Sequence, residues 1–485
     1  MPSIANMIDW VALQPAIPEI FLGTAICLLL LVDAFTAREG RTYMPTLSLV
    51  TLLAGAVLTL KTASLESTVV MFGGSYVADP LATFLKLLAF LATAVALFYS
   101  RHYLQRRGIL KGEYYILALT ALLGIFVIVS ANSLLTLYVG VELQALSIYA
   151  MVAFDRDSGV AAESAIKYFV LGAIASGAML YGMSLIYGLT GTLQLDELGA
   201  RLVEQAPGPG VLLGMLFLVV AIAFKFGAAP FHMWVPDVYH GAPTGVVGFI
   251  ASAPKLASFA LAFRLLGHGL ETIGDDWSRA LTVIAVLSLV IGNVVAVAQT
   301  NLKRLLAYSA IGNVGFILLG FVAGNEAGYE AALYYTIAYV LMVLGSFGVI
   351  LLAGRDGVEA DEISSYAGLG KRDPLLALCM MFLMFSTAGI PPFVGFWAKL
   401  TIFQVLWQTQ HTALVMIAAA VSVIGVFYYL RIVKVMYFDA PGELPGGERL
   451  PAVRAVLTLN AVAVLALGLL PHALLAWCSQ LLASG

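Results

Sequence analysis

The chain has 485 residues, 61% of them hydrophobic and only 11% charged, with 25 Lys plus Arg against 28 Asp plus Glu and a formal net charge of -3. A soluble domain carries about 25% charged residues, so this chain cannot cover a water-facing surface of its size with polar groups. A soluble enzyme, a disordered chain and a nucleic-acid binder are excluded, and one large polytopic domain in a lipid bilayer remains. The three cysteines, Cys27, Cys379 and Cys478, are isolated in apolar stretches with no CxxC, so no iron–sulfur, zinc or c-type haem site is expected on this chain.

A helix needs about 20 apolar residues to cross a hydrocarbon core of about 30 Å. Residues 1–16 contain Asp9 and no Lys or Arg, so no cleaved secretory signal is expected and the first apolar run reads as a retained span. In chain order the spans are expected near 17–36, 44–62, 78–100, 113–131, 132–154, 161–188, 211–229, 243–266, 277–298, 303–323, 329–353, 373–408, 411–438 and 452–476. Backbone groups in lipid must be satisfied within the segment, and no strand-like alternation competes, so these fourteen spans are read as helices.

The loops test the count. Sixteen of the 25 basic residues fall in odd-numbered connections: Arg38, Arg41, Arg101, Arg106, Arg107, Lys111, Arg156, Lys303, Arg304, Arg355, Lys371, Arg372, Arg431, Lys434, Arg449 and Arg454. Four fall in even-numbered ones: Lys61, Arg201, Arg264 and Arg279. The positive-inside rule then places the odd loops in the cytoplasm and both termini on the opposite side.

Five lysines remain, Lys86, Lys167, Lys225, Lys255 and Lys399, all inside expected spans. An ionisable group at the bilayer centre costs at least about 2.5–3.5 kcal/mol and marks an ion or proton path by default. Glu142 joins them near mid-span, and Lys255 is central in its own span. Glu163 and Lys167, four apart, share a helix face nearer the cytoplasmic end. Each has a plainer reading. Lys86, close to a span end, is expected to snorkel to the interface. Lys167 has a local partner. Glu142 with Lys225 could form a buried structural ion pair, although such pairs are weak stabilisers.

Two segments are too long or too interrupted for a plain helix: Ala221–Pro243, with Pro230 and Pro236, and the 36-residue span 373–408, with Pro391 and Pro392. Proline lacks the amide proton that the helix ladder needs. Irregular backbone at membrane depth survives only inside protein or beside a water-filled cavity. Pro230 and Pro391 are 161 residues apart, and the span starts at 113 and 277 differ by 164. Spans four to eight and nine to thirteen therefore read as two copies of a five-helix unit, the second inverted because five is odd. Interrupted helices at matching places of inverted repeats point to an ion site. The expected architecture is an all-α polytopic membrane protein of about fourteen transmembrane helices, forming a single domain over 1–485. It comprises three N-terminal helices (1–112), a first inverted repeat (113–266), a second (277–438) and a C-terminal helix (439–485).

The chemistry this licenses is proton relay. A poorly solvated amine holds its proton less firmly and a nearby carboxylate restores the hold, so a lysine whose acidic partner moves can load and release a proton. His232, beside the first break, is either a further relay station or a backbone cap. No GxGxxG, Walker loop or Cys ligand set is present, so this chain is expected to carry no electrons.

The run KFGAAPFHMWVPDVYHGAPT from Lys225 to Thr244 resembles the antiporter-like subunits of proton-pumping NADH–quinone oxidoreductase, respiratory complex I. So do ASAPKLASF around Lys255, QTNLKRLLAYSAIGNVGF from Gln299 to Phe316, and GIPPFVGFWAKL around Lys399, collinear over nearly the whole chain. The PDVYHGAP form at 236–243 is similar to the N type. Lys399 in place of glutamate argues against the M type, and a chain ending nine residues past the last span argues against the L type, which carries a long lateral helix.

The resemblance implies Glu142 with Lys225 as a modulating ion pair, Lys255 as the central relay lysine, Lys399 as proton carrier of a second half-channel, and Lys167 as a further lysine of span six. It implies a bacterial inner-membrane subunit among sister antiporter-like subunits and other membrane subunits, embedded in lipid and moving protons. No cofactor is expected on this chain, FMN and iron–sulfur clusters being expected in other subunits. Where the family commonly shows His-x-Gly-Tyr, this chain has Asn313, Val314, Gly315 and Phe316, and asparagine cannot titrate. Pro254, directly before Lys255, is expected to bend span eight. Three alternatives remain at this stage: a subunit of a multi-subunit sodium/proton antiporter, a neutral-solute carrier, and a pure scaffold.

Overall fold

The computed structural model describes residues 13–36, 43–63, 68–204, 208–354, 359–441 and 447–483. Arg38, Arg41 and Arg355 of the loop count, and Asp9, lie outside the described residues. Among the described residues, thirteen helices are long and apolar enough to cross a membrane. The remaining expected span, 373–408, is present as two half-helices, Pro374–Ala388 and Val394–Gln408, neither of which would cross alone.

The N-terminal unit is α1 (Ile17–Phe35), α2 (Met44–Thr62) and α3 (Pro80–Arg106). Between α2 and α3 lies a small antiparallel hairpin, β1 (Val69–Met71) with β2 (Tyr76–Ala78), Val70 opposite Val77. The sequence reading expected helices only. Strands of three residues are too short to show the alternation that betrays a strand, so the hairpin was invisible there. Asp79 ends the hairpin and starts α3, its carboxylate accepting the Ala82 amide at 2.6 Å as an N-cap.

The first repeat is α4 (Gly112–Val129), α5 (Leu134–Val152), α6 (Gly159–Thr190), the short surface helix α7 (Leu195–Glu204), α8 (Pro209–Phe226), α9 (Trp234–Gly241), α10 (Thr244–Ile250) and α11 (Ala253–Ala262). The second is α12 (Gly274–Val297), α13 (Leu302–Val322), α14 (Glu326–Ala353), α15 (Leu369–Arg372), α16 (Pro374–Ala388), α17 (Val394–Gln408) and α18 (Thr412–Phe438). Each repeat opens with a helix pair that crosses at glycines. A Cβ on Gly124 would meet the Gln144 amide at 2.5 Å, and one on Gly292 the Gly312 amide at 2.4 Å. Side chains there would force α4 off α5 and α12 off α13.

Span eight breaks twice. The helix stops at Ile250, Ser252 leaves helical geometry (φ -112°, ψ -89°), and α11 restarts with Pro254 in its first turn. Proline is tolerated at that position because its missing amide proton would be unbonded anyway. The expected bend is thus a full interruption three residues before Lys255. Beyond α11 the chain winds as a π-helix over Phe263–Gly269. Every residue of α10 and α11 is buried, so this segment is the axis of the molecule.

The last expected span is also divided: α19 (Pro451–Leu469) ends two residues before Pro471, which opens α20 (Pro471–Ala483). Leu474, Cys478 and Leu482 of α20 are buried, and the helix packs on α14 and α3.

Candidate functional site

The two interrupted helices end in the same way. At the end of α8, Gly227 takes the left-handed conformation (φ 76°), its amide bonds Phe224 O at 2.9 Å and the Ala228 amide bonds Ala223 O at 2.8 Å. At the end of α16, Gly389 does likewise (φ 85°), with Gly389 to Ser386 O at 2.9 Å and Ile390 to Phe385 O at 3.0 Å. Both are Schellman closures, which need glycine because a side chain is strained at positive φ. A cis X-Pro bond follows each, at Ala229–Pro230 and Pro391–Pro392. The matching positions are 226 and 388, 227 and 389, 230 and 392, an offset of 162 residues. Pro230 therefore corresponds to Pro392, rather than to Pro391 as the sequence spacing suggested.

Each closure presents its last helical carbonyl to an amine. The Lys255 Nζ donates to Phe226 O at 2.6 Å, and the Lys399 Nζ donates to Ala388 O at 2.8 Å. Each amine also lies over an aromatic ring, Lys255 5.8 Å from the Trp234 centroid and Lys399 5.3 Å from that of Phe316. A helix C-terminus carries partial negative charge and a ring face attracts cations. Both are fixed and carry no net charge, and among the described residues no carboxylate lies within ion-pair distance of either amine. The two lysines are only 2% and 8% exposed, so water does not do the balancing from outside.

The carbonyls match by repeat symmetry and the lysines do not. Lys399 comes from α17, just past its own break, whereas Lys255 comes from α11. With the 162-residue offset, Lys399 faces the position of Asp237 and Lys225 that of Thr387.

Lys225 sits one residue before the end of α8, partly buried. Its backbone carbonyl accepts from Ser258 Oγ at 3.3 Å, which ties α8 to the helix of Lys255. The expected Glu142–Lys225 ion pair is open. No ion pair or hydrogen bond joins them, although Lys225 lies in the field of the Glu142 carboxylate. That carboxylate instead accepts a hydrogen bond from Ser176 on α6. The side-chain rotamers that decide whether the two groups meet are not written in the spacing.

Lys167 lies at the odd-loop end of α6, bonded to Glu163 at 2.8 Å and to Asp237 at 3.0 Å, with its side chain 45% exposed. Asp237 also holds Arg304 at 3.4 Å. Lys167 is therefore set apart from Lys225, Lys255 and Lys399, at the rim. His232 lies in the turn between α8 and α9, where its carbonyl accepts the Val235 amide at 2.8 Å. Its Nδ1 is buried without a hydrogen-bond partner. Trp234 pins this turn, donating to Phe224 O at 3.1 Å and stacking on Tyr168 at 4.4 Å.

Three basic residues are placed differently from the sequence reading. Lys86 does not snorkel. It is 3% exposed, 2.6 Å from Glu19 and 3.0 Å from the Tyr76 hydroxyl of the hairpin. Arg264, counted as a loop residue, is buried in the π-helix, 2.6 Å from Asp79 and bonded to Val129 O. Lys303, also counted in a loop, is 2% exposed beneath Glu359 at 2.5 Å and Asp361 at 3.3 Å. The partners lie 67, 185 and 56 residues away along the chain (19 and 86, 79 and 264, 303 and 359), beyond any local pattern. In the Lys303 cluster, burial would raise the Glu359 carboxyl, but Lys303, Tyr103 and Arg107 together hold it below the usual range. Asp361 goes the other way, lifted by burial and by the neighbouring Glu359 charge.

Comparison with known proteins places this arrangement. Residues 131–425 match the family model described as NADH:quinone oxidoreductase/Mrp antiporter, TM. NADH-quinone oxidoreductase subunit N of Thiobacillus denitrificans is 50% identical over 475 residues, covering 96% of each chain. The protein of that description from Nitrosomonas europaea is 49% identical over 463 residues, covering 95% of this chain and 96% of the relative. A chain of respiratory complex I from Thermus thermophilus with bound aureothin superposes with a TM-score of 0.81 at 31% identity, over 95% of this chain and 98% of that one. A chain of the Mrp complex from Dietzia superposes at 0.84 with 22% identity, over 97% of each chain, a likeness of fold alone. The chain belongs to the NADH:quinone oxidoreductase/Mrp antiporter transmembrane family, and within it to the subunit N group of NADH–quinone oxidoreductase.

Proposed function

We propose that this chain is a proton-translocating subunit of the membrane arm, driven by electron transfer from NADH to quinone elsewhere in the complex. The observation that carries the reading is the pair of buried amines, Lys255 and Lys399, each seated on the terminal carbonyl of an interrupted helix. The carbonyl dipole and the ring face stabilise an ammonium there without neutralising it. A small change in distance to Glu142 or in hydration then decides whether the proton stays.

In this reading Glu142 and Lys225 approach and separate, and Lys225 passes the change to Lys255 through α8 and the Ser258 contact. Lys399 loads and releases a proton in the second repeat. Lys167 collects at the rim, and His232, with its unpartnered Nδ1, extends the relay at the first break. The chain sits in a bacterial inner membrane with its odd-numbered loops in the cytoplasm and both termini in the periplasm. Its partners are the other membrane subunits of the complex, sister antiporter-like subunits included. FMN and iron–sulfur clusters belong to other subunits, and this chain binds none.

The test is NADH-driven proton uptake by membrane vesicles carrying Lys225→Ala or Glu142→Ala, read as protons taken up per NADH oxidised. Both variants are expected to assemble and to lower that ratio. An unchanged ratio in both would defeat the relay. Ion exchange without NADH or quinone would favour a sodium/proton antiporter subunit instead.

A further inference from the structure

A groove of about 340 Å³ runs between α3 and α19, floored by α14, with α20 across one end. Leu91 and Leu459 at its rims are 55% and 69% exposed, so it opens sideways into lipid. At the even-loop end Trp477 of α20 meets Phe84 edge-on, ring centroids 6.3 Å apart. The inner wall reaches Leu256, the residue after Lys255. The lining is hydrocarbon and aromatic except for Asn460. That residue is 9% exposed, and its Oδ1 is buried without a hydrogen-bond partner. Gly345 makes room for it, since a Cβ there would stand 2.4 Å from Oδ1. Burying an unbonded amide is costly, and leucine would fill the place without that cost.

At the odd-loop end the same two helices border a cleft of about 1090 Å³. Arg106 ends α3, Arg449 and Arg454 flank the start of α19, and Arg372 ends α15. Arg106 pairs with Glu448 at 2.6 Å and Arg454 pairs with Asp373. Four guanidinium groups in the lining thus meet two carboxylates, four less two leaving an excess of two positive charges.

Groove and cleft lie in register. On α3, Phe84, Leu88, Leu91 and Val95 step by four, three and four. Steps of three and four carry that face on to His102 and Arg106. On α19, Asn460 lies six residues after Arg454, about 9 Å along the helix. That is close to the thickness of one headgroup layer, about 5–7 Å per leaflet. The groove continues along α19 from Val456 to Leu467, about 17 Å, which matches half of a hydrocarbon core of about 30 Å.

We propose that cleft and groove together bind one anionic phospholipid of the odd-loop leaflet. Its phosphate sits among Arg106, Arg449 and Arg454, where planar guanidinium groups suit phosphate oxygens. An acyl ester oxygen accepts from Asn460 Nδ2. The acyl chain follows α19 toward Trp477 and packs on the helix of Lys255. Basic pockets between transmembrane helices recognise such headgroups. A free phosphate ion would leave the groove and the amide unfilled, and an apolar helix of a neighbouring subunit would leave the two positive charges unmatched. The inference does not rest on the relay reading.

The test uses the purified whole complex in detergent and a phosphatidylglycerol with a photoreactive diazirine at the end of one acyl chain. Labelled peptides are mapped by mass spectrometry after illumination. Labelling is expected to concentrate on residues 84–95, 337–344 and 456–467. Unlabelled phosphatidylglycerol should displace it, phosphatidylcholine should need about five times the concentration or more, and inorganic phosphate should not displace it. Each rim arginine is worth about a fivefold change in affinity, so Arg106→Gln with Arg449→Gln should weaken binding about 25-fold. Asn460→Leu should weaken it by about two- to tenfold. Ala463→Trp, which fills the groove and keeps all four arginines, should abolish groove labelling. If the double variant does not assemble, Arg449→Gln alone, an exposed position, should weaken binding about fivefold, and an unchanged affinity overturns the site. Equal displacement by phosphatidylcholine, or labelling spread evenly over the lipid-facing helices, would mean ordinary lipid contact and overturns it. Displacement by inorganic phosphate would mean a free-anion site, and a groove left unlabelled in the whole complex would mean that a neighbouring subunit fills it; either result overturns the proposal.

Discussion

Lys255→Met is expected to lower NADH-driven proton uptake by roughly tenfold or more, the scale of losing a positioned proton-transfer group, while the subunit still assembles. Methionine fills nearly the same volume and removes the one amine that sits on Phe226 O and over Trp234. The Schellman closure at Gly227 is made by backbone amides and survives the change, so the α8 break keeps its shape. The Phe226 carbonyl loses its side-chain donor, a modest cost, and the buried cation is gone, which is a gain. Stability is thus nearly neutral and function is not. Quantifying assembled complex alongside uptake separates the two. Normal uptake in the Lys255→Met variant would mean that this amine, despite its seat, moves no charge.

The second large effect is on stability. Arg264→Ala is expected to destabilise the chain by about 3–5 kcal/mol, the cost of stranding a buried charge whose partner is removed. Asp79 and Arg264 have side chains only 1% and 5% exposed and lie 2.6 Å apart. The pair joins the start of α3 to the π-helix beyond α11, and Arg264 also donates to Val129 O at the end of α4. Removing the cation therefore loosens three elements at one point. The amount of the subunit in purified complex should fall sharply. The double variant Asp79→Asn with Arg264→Met, which leaves no charge behind and keeps an acceptor for the α3 cap, should recover much of it. Equal losses in single and double variants would mean that the ion pair is not what matters there.

The span positions and both proline breaks were legible, because apolar length and proline act locally. The central place of Lys255 followed from counting along its span, and that of Lys399 beside a break from its spacing to Pro392. What each amine touches did not, since the carbonyls of Phe226 and Ala388 become acceptors only once a left-handed glycine ends the helix. The open Glu142–Lys225 pair was illegible for a related reason: sequence places both groups inside spans, and rotamers decide whether they meet. Lys86 and Arg264 were misread because a basic residue near a span end looks the same whether it reaches water or turns inward to an acid far along the chain. The buried hydrogen bonds that link Tyr335, Asn313, Ser309 and Tyr429 left no trace, because neutral polar side chains scattered over three helices break no charge rule. Asn313 was noticed only as a departure from a family pattern.

The account turns on charge being able to pass between the seated amines through the interior of the membrane. The most direct measurement is a map of the assembled complex, at a resolution that shows ordered water, through the midplane between Lys225, Lys255 and Lys399. The account predicts water molecules bonded to the three amines, together forming a file from one break to the other. A midplane filled with closely packed aliphatic side chains from Lys255 to Lys399, in every state of the working complex, would contradict it.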